Sequence, residues 1–167
     1  MLMDGRGIIG FLPRRFGLLM GLQAESYHRI ERLFAVRERP LGVYTSTVGD
    51  TLDVRLEVQE RHAYTLQLEL TYAFHDPETG RRAPEAQIRV YTDAHLAEAL
   101  HCHPGRGRWD VLDLHAPAAE ILRHRLRMAS FLSRWLEYLS AQGHSPFTLR
   151  PVHEGWTRGL RVCEAPE

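Results

Sequence analysis

The stretch that decides the fold runs from residue 52 to residue 74 and reads LDVRLEVQERHAYTLQLELTYAF. Apolar and polar residues alternate over residues 52–59, and the alternation returns over residues 64–74 after a corner at Arg61 and His62. A two-residue period of this kind predicts half-buried strands with one face towards solvent. Because the link between the two runs is short, we expect them to pair antiparallel.

Further strands are predicted on both sides of this hairpin. Residues 41–48 have the composition of a strand, and residues 87–92 form another after a polar loop. The segment 95–103 predicts a fifth strand, although its Ala and Glu content also allows a helical turn. The predicted sheet therefore contains four to five antiparallel strands.

Helices are predicted at the two ends of the strand region. Apolar side chains recur every three or four positions over residues 16–34 and again from residue 118 to residue 142, where Gly143 provides a stop. An antiparallel sheet with one solvent-facing side needs cover on its other side. The pattern thus predicts an α+β two-layer sandwich in which the N-terminal and C-terminal helices pack on one face.

The length of 167 residues favours a single domain. We expect residues 1–15 to form a loose N-terminal segment and residues 16–144 to form the single α+β domain. Residues 145–167 contain three prolines and no sustained period. This composition predicts an irregular C-terminal tail.

Composition excludes several classes of chemistry. The formal net charge is zero, so a nucleic acid or membrane partner would have to bind a local patch. All 21 basic residues are Arg and none is Lys, which excludes Lys Schiff-base chemistry and a Walker-type phosphate loop. Nucleophile-elbow, zinc-protease and dinucleotide-binding motifs are absent from the sequence, and no cofactor is expected.

The two cysteines, Cys102 and Cys163, are too few for a disulfide framework, so we expect a reducing, cytoplasmic setting. No stretch approaches the roughly 20 apolar residues of a membrane span, and no membrane partner is expected. The apolar N-terminal run is interrupted by Pro13, Arg14 and Arg15, which argues against a secretory signal.

A row of arginines on the second predicted helix is a candidate binding surface. Arg123, Arg127 and Arg134 are four and seven residues apart and therefore share one face. Guanidinium groups bind phosphates and carboxylates through planar forks. The alternative is a solvated face balanced by Glu120 and Glu137, and no stacking aromatic residue is evident beside the row.

A histidine pair is a candidate metal site. On a strand, His101 and His103 project from the same face and Cys102 from the other. The two imidazoles could share a metal, with Asp113 or His115 as a third ligand. The alternative interpretation is two solvated histidines that lead into a Gly-rich loop.

The end of the fourth predicted strand carries Tyr91 and Asp93, which are candidate ligand-binding or partner-binding residues. Asp93 could cap the following turn through its side-chain oxygens or act as a catalytic carboxylate. Capping is the favoured interpretation, because no second carboxylate or Ser–His partner lies at a recognisable spacing.

Three segments carry a family resemblance. Residues 60–65 contain E-R-x-x-Y-T, residues 90–94 contain V-Y-x-D-A, and residues 131–136 contain F-L-x-x-W-L, in a helix that closes with Gly143 and His144. In this order and spacing the motifs resemble the YqiB-like family of proteobacterial proteins, over roughly residues 18–144. The resemblance implies a shared fold and a bacterial cytosolic setting, and it implies no established activity.

The sequence departs from the family pattern before the last motif. YqiB-like proteins carry a Lys-x-Gln-x-Asn run there, and this chain has Arg125, Arg127 and Ala129 at the matching positions. The aromatic-Pro segment and acidic run that usually precede the helix are replaced by residues 109–120. If those polar side chains carry an activity, the resemblance implies that it is lost or altered here.

These features support three functional hypotheses. The first is a non-enzymatic binding or regulatory module that contacts a protein partner through the solvent-facing side of the sheet or an edge strand. The second is a nucleic-acid-associated protein that uses the row of arginines. The third is a metal-dependent enzyme built around His101 and His103.

Overall fold

The computed structural model describes the backbone of residues 6–103 and 116–153, and side chains from Pro13 onwards. Within these ranges the chain forms two helices, six strands and a short 3-10 turn at Val36–Glu38. The helices and strands, in chain order, are α1 (Arg6–Phe34), β1 (Gly42–Ser46), β2 (Val54–Arg61), β3 (Thr65–Tyr72), β4 (Glu85–Tyr91), β5 (Leu96–His103), α2 (Ala118–Ala141) and β6 (Leu149–Pro151).

The strands form one antiparallel sheet in the order β5-β4-β3-β2-β1-β6. The α+β prediction is confirmed, but the predicted count of four to five strands is too low, because six are present in the described ranges. The additional strand, β6, lies in the segment that was predicted to be irregular. Three residues are too short to show a period, and β6 is defined by its pairing with β1, as in Ser46 opposite Leu149.

The ambiguous segment 95–103 is a strand rather than a helical turn. Strand β5 pairs antiparallel with β4, and an extra residue on β5, Leu100, lies opposite the step from Gln87 to Ile88 and shifts the register by one residue. The bulge leaves Cys102 opposite Ala86 on the buried face. Small side chains on this face allow both helices to approach β5 closely.

The hydrophobic core lies between one face of the sheet, here called the inner face, and the two helices. Buried and half-buried residues alternate along β2, β4 and most of β3, and the buried ones join residues of α1 and α2 in one cluster. The largest fully buried side chains are Phe34, Ile30, Leu33, Leu56, Leu66, Leu68, Leu70, Ile88, Leu132, Leu136, Leu139 and Leu149. The two-layer arrangement follows from this one-sided burial.

The F-L-x-x-W-L segment has a structural role in fixing α2. Leu132 and Leu136 are fully buried, and the Trp135 Nε1–H donates a hydrogen bond of 3.2 Å to the Tyr72 hydroxyl on β3. On the neighbouring face, a guanidinium nitrogen of Arg29 on α1 donates to the Ser133 carbonyl at 2.7 Å. These contacts hold α2 against both the sheet and α1.

The first helix is longer than the pattern predicts. It begins at Arg6, ten residues before the predicted start at Phe16, and Pro13 lies inside it. The interrupted apolar pattern before Phe16 predicts a loose N-terminal segment, whereas residues 6–15 are helical in the structure. Neither of the helices that the structure describes is long and apolar enough to cross a lipid bilayer.

A buried chain of hydrogen bonds joins the end of α2 to β1 and β6. Ser46 Oγ lies 2.7 Å from His144 Nδ1 and 2.6 Å from Thr148 Oγ1, and the Thr148 hydroxyl donates to the Ser145 carbonyl at 2.9 Å. Because the Thr148 hydroxyl proton is directed to the Ser145 carbonyl, Ser46 must donate the hydrogen bond to Thr148 Oγ1. The Ser46 oxygen can then accept a hydrogen bond from His144 Nδ1–H. Burial lowers the pKa of His144, against the opposing effect of the Asp53 carboxylate, so the imidazole is neutral at pH 7.

Candidate functional site

Three segments that are separate in sequence meet at one end of the sheet. The 3-10 turn, the β2–β3 turn and the β4–β5 turn enclose a cleft of about 410 Å³. The Thr92 N–H donates to the Tyr64 carbonyl at 2.9 Å, which ties the two strand turns together. We call this the sheet-end cleft; its lining residues are Arg37, Arg61, His62, Ala63, Tyr64, Leu66, Thr92 and Asp93.

Arg61 positions the wall of the sheet-end cleft. Its guanidinium donates to the carbonyls of Arg37 at 3.1 Å and Val36 at 2.9 Å, and also to the Arg39 carbonyl. The 3-10 turn has few hydrogen bonds of its own, so this fork of donors holds it against the end of β2. Arg61 therefore acts as a positioning residue rather than as a free cation.

The sheet-end cleft presents the side chains of Arg37, His62 and Tyr64 to solvent. Tyr64 is 65% exposed at the tip of the β2–β3 turn. Arg37 is 57% exposed and its Nε lies 3.3 Å from a carboxylate oxygen of Glu31, a hydrogen bond that raises the pKa of Arg37. The cleft therefore offers a large aromatic surface beside a cation that stays charged.

The structure separates the two candidate residues at the end of β4. Asp93 lines the sheet-end cleft, and its Oδ1 accepts a hydrogen bond of 2.9 Å from the Ala94 N–H, which is the capping interaction expected from its position. Tyr91 lies outside the cleft, and its hydroxyl donates to Glu98 Oε2 at 3.1 Å. The two residues consequently belong to neighbouring but different surfaces.

The predicted row of arginines on α2 lies on the side opposite the core. Arg123, Arg127 and Arg134 are all exposed. The Glu137 carboxylate, which was expected to balance them, lies 3.7 Å from Arg29 on α1. Tyr138 is 54% exposed one turn beyond Arg134, so an aromatic side chain does accompany the row.

The histidine pair has the geometry that the strand period predicts. His101 and His103 lie opposite Gln87 and Glu85 on the half-exposed face of β5, whereas Cys102 is buried and its thiol pKa is raised to about 12 by burial. In the part of the chain that the structure describes, no group of three His, Cys, Asp or Glu residues could hold a metal ion. The proposed third ligands at 113 and 115 lie outside the described residues.

The sequence pattern does not single out Arg37 or Tyr64, which meet in the sheet-end cleft. Tyr64 belongs to the E-R-x-x-Y-T segment and also continues an alternating pattern, which suggested a core position. Arg37 lies in a short turn with no periodic signal. The available clue was the motif itself, because a motif with polar residues beside a strand turn is a candidate for binding.

Among its lining residues the sheet-end cleft has one imidazole and one carboxylate. Its imidazole, His62, lies 3.4 Å from the Glu60 carboxylate on the exposed turn, and its carboxylate, Asp93, is occupied in the β4–β5 turn. Neither arrangement places a base against a nucleophile within the cleft. The cleft also presents an exposed tyrosine, Tyr64, and a cation, Arg37.

Comparisons with known proteins identify one family. Neither the curated proteins nor the solved structures contain a match to the chain. A family model described as "Protein of unknown function (DUF1249)" matches residues 29–145, which is well over half of the chain. The match begins within α1, includes β1 to β5 and ends just after His144. The chain therefore belongs to the DUF1249 family.

Proposed function

We propose that the protein is a non-enzymatic binding module that receives a protein partner at the sheet-end cleft. The observation that carries this proposal is the exposed Tyr64 beside Arg37, in a cleft built from three segments. Tyrosine and arginine are the residue types that most often dominate the binding energy of protein interfaces. The three segments that form the walls of the cleft are already held in place, so binding a partner costs less conformational entropy than it would for mobile loops.

The edge strands are less suitable for binding a partner by strand addition. Strand β6 has three residues and includes Pro151, which lacks an N–H group. Strand β5 carries a bulge and lies close to both helices. The sheet-end cleft is therefore a better docking position than either edge.

We further propose that the protein is a YqiB-like protein of a proteobacterium and that it is located in the cytoplasm. The E-R-x-x-Y-T segment of the YqiB-like resemblance coincides with Arg61, which holds the cleft wall, and with Tyr64, which the cleft exposes. This coincidence supports a YqiB-like protein of proteobacterial origin. The two cysteines, too few for a disulfide framework, support a cytoplasmic location.

Replacement of Tyr64 by alanine is expected to weaken partner binding by roughly thirtyfold, the loss typical of an interface hot spot. The measurement is affinity capture from the source cells by immobilised protein, followed by titration of the recovered partner. The matched control is Tyr138→Ala, which removes a similarly exposed tyrosine from α2. A partner that binds wild type and Tyr64→Ala equally would contradict the proposal.

A second candidate function is binding of single-stranded nucleic acid on α2. It is favoured by Tyr138, which supplies a stacking surface beside exposed arginines, and by the engagement of Glu137 with Arg29. Single-strand binding surfaces combine an aromatic platform with cations that follow the backbone. The surface is formed by Arg123, Arg127, Arg134 and Tyr138.

This candidate predicts a measurable salt dependence. Three arginines that neutralise phosphates should give a slope of about −2 when the logarithm of the binding constant is plotted against the logarithm of salt concentration. Arg134→Glu should weaken binding of a labelled single-stranded oligonucleotide and flatten this slope. Arg150→Glu, at the opposite edge of the sheet, is the control for net charge. Binding that is independent of salt would exclude the surface.

A further inference from the structure

The face of the sheet that points away from the helices, here called the outer face, divides into two halves. In one half Glu69 accepts hydrogen bonds from Arg55 at 3.1 Å, Gln59 at 3.0 Å and Gln87 at 2.9 Å. Arg55 also donates to Glu57 at 2.7 Å. Charges and amides in this half are thus matched with one another across β2, β3 and β4.

The other half of the outer face has two polar side chains that are not paired with any described residue. Gln67 on β3 and Arg89 on β4 are directly opposite in register and are both half-buried. Neither side chain forms a hydrogen bond or an ion pair with any residue that the structure describes. A guanidinium and an amide therefore face solvent side by side.

Within the described residues Arg89 has no ion-pair partner, because its cross-strand neighbour Glu98 binds elsewhere. Glu98 on β5 lies directly opposite Arg89, and a pair of opposite charges in this position normally interacts. Instead, the Glu98 carboxylate accepts the Tyr91 hydroxyl at 3.1 Å and a guanidinium nitrogen of Arg125 at 2.6 Å. Because Arg125 on α2 engages the Glu98 carboxylate, the Arg89 guanidinium is available to bind a ligand.

Arg89 and Gln67 line a shallow depression of about 260 Å³. Thr65 and His62 add a hydroxyl and an imidazole to its wall. Glu60 is the one carboxylate among the lining residues; it is 58% exposed and lies 3.4 Å from the His62 ring. The formal charges of Arg89 and Glu60 cancel in the lining. Because Glu60 is engaged with His62, the groups left for a ligand are the Arg89 guanidinium and the donors of Gln67 and Thr65, which suit an oxyanion.

We propose that this depression binds a phosphate-type oxyanion through Arg89 and Gln67. A guanidinium fork, an amide N–H and a hydroxyl supply donors for the three terminal oxygens of a phosphate group, whereas a carboxylate offers two. The ligand is free phosphate or a phosphoryl group carried on a peptide, since both present the same oxygens. The site stands independently of the proposed protein partner, which docks at the adjoining cleft.

The test is isothermal titration with inorganic phosphate at constant ionic strength. Wild-type protein is expected to bind in a saturable manner, and Arg89→Gln to lose about tenfold or more in affinity, the loss typical of a charge-assisted hydrogen-bonding group. The control Arg150→Gln removes the same charge from the far edge of the sheet and should leave affinity unchanged. Absence of saturation in wild type, or equal binding by Arg89→Gln, would overturn the proposal.

A second pair of variants tests why Arg89 is available. Arg125→Gln is expected to weaken phosphate binding, because Glu98 is released to pair with Arg89, although Arg125 does not line the depression. Arg123→Gln removes an equal charge two residues away on α2 and should bind as wild type does. Equal affinities of these two variants would refute the role assigned to Glu98.

The same titration, repeated with a peptide, distinguishes free phosphate from a phosphoryl group carried on a polypeptide. A short phosphoserine peptide is compared with inorganic phosphate and with the unphosphorylated peptide. Tighter binding of the phosphopeptide assigns the site to a phosphorylated polypeptide, and equal binding of phosphate and phosphopeptide assigns it to free phosphate. Loss of partner capture in Tyr64→Ala with retained phosphate binding would show that the two surfaces act separately.

Discussion

Replacement of Leu68 by alanine is expected to lower the free energy of unfolding by roughly 2–5 kcal/mol. Leu68 is fully buried in the middle of β3, where it lies between Val58 on β2 and Ile88 on β4. Truncation removes the transfer free energy of the side chain and leaves a cavity that a sheet fixed on both sides can fill only in part. Urea unfolding, with a midpoint that falls while the slope is unchanged, measures the effect.

Leu52→Ala is the matched control for this prediction. Leu52 belongs to the same alternating run of sequence, but it precedes β2 and is 51% exposed. Substitutions at such surface positions usually change stability by about 0.5 kcal/mol or less. Similar losses for the two variants would mean that β3 is not at the centre of the core.

Replacement of Ser46 by alanine is expected to destabilise the protein by roughly 1–3 kcal/mol, although only one oxygen is removed. Ser46 is fully buried and connects His144 Nδ1 with Thr148 Oγ1. Without it, the imidazole N–H has lost its acceptor in an environment that excludes water. The lost free energy is therefore that of a buried, unsatisfied donor rather than that of a small cavity.

Thermal or urea unfolding at pH 8 provides the measurement. Burial lowers the pKa of His144, so below the ordinary histidine value of about 6.5 the unfolded chain binds more protons than the folded one. Stability therefore falls as the pH decreases through this region, and pH 8 removes the contribution of protonation. Ser140→Ala makes the same chemical change at an exposed position of α2 and should have little effect. A harmless Ser46→Ala would show that the chain of hydrogen bonds contributes no net stability.

Local periodicity correctly predicted most of the secondary structure. The alternation of Val54, Leu56 and Val58 predicted the buried face of β2, and the helical period placed Arg123 and Arg134 opposite the core. Both features depend on which side of an element a residue occupies, and the backbone geometry of the element alone determines that side.

The limits of the pattern are visible at its ends. Leu52, Tyr64 and Phe74 continue the alternating runs but are 51%, 65% and 56% exposed. Burial at these positions depends on whether a helix or a neighbouring strand covers them, and coverage is a property of the whole fold. Tyr64 is such an exception, and it is the residue on which the proposed docking cleft rests.

The sequence by itself determined the α+β class, the inner face of the sheet and the exposed position of the arginines on α2, because each follows from the period with which apolar residues recur along the chain. Only the tertiary structure decided the rest. In the folded protein β6 pairs with β1, and Arg37 and Tyr64 line the same cleft. Glu98 forms its ion pair with Arg125 rather than with Arg89. These arrangements depend on which of several hydrogen-bonding and packing partners, all distant in sequence, a group contacts. The packed core decides this, because it determines which groups lie within hydrogen-bonding distance of one another.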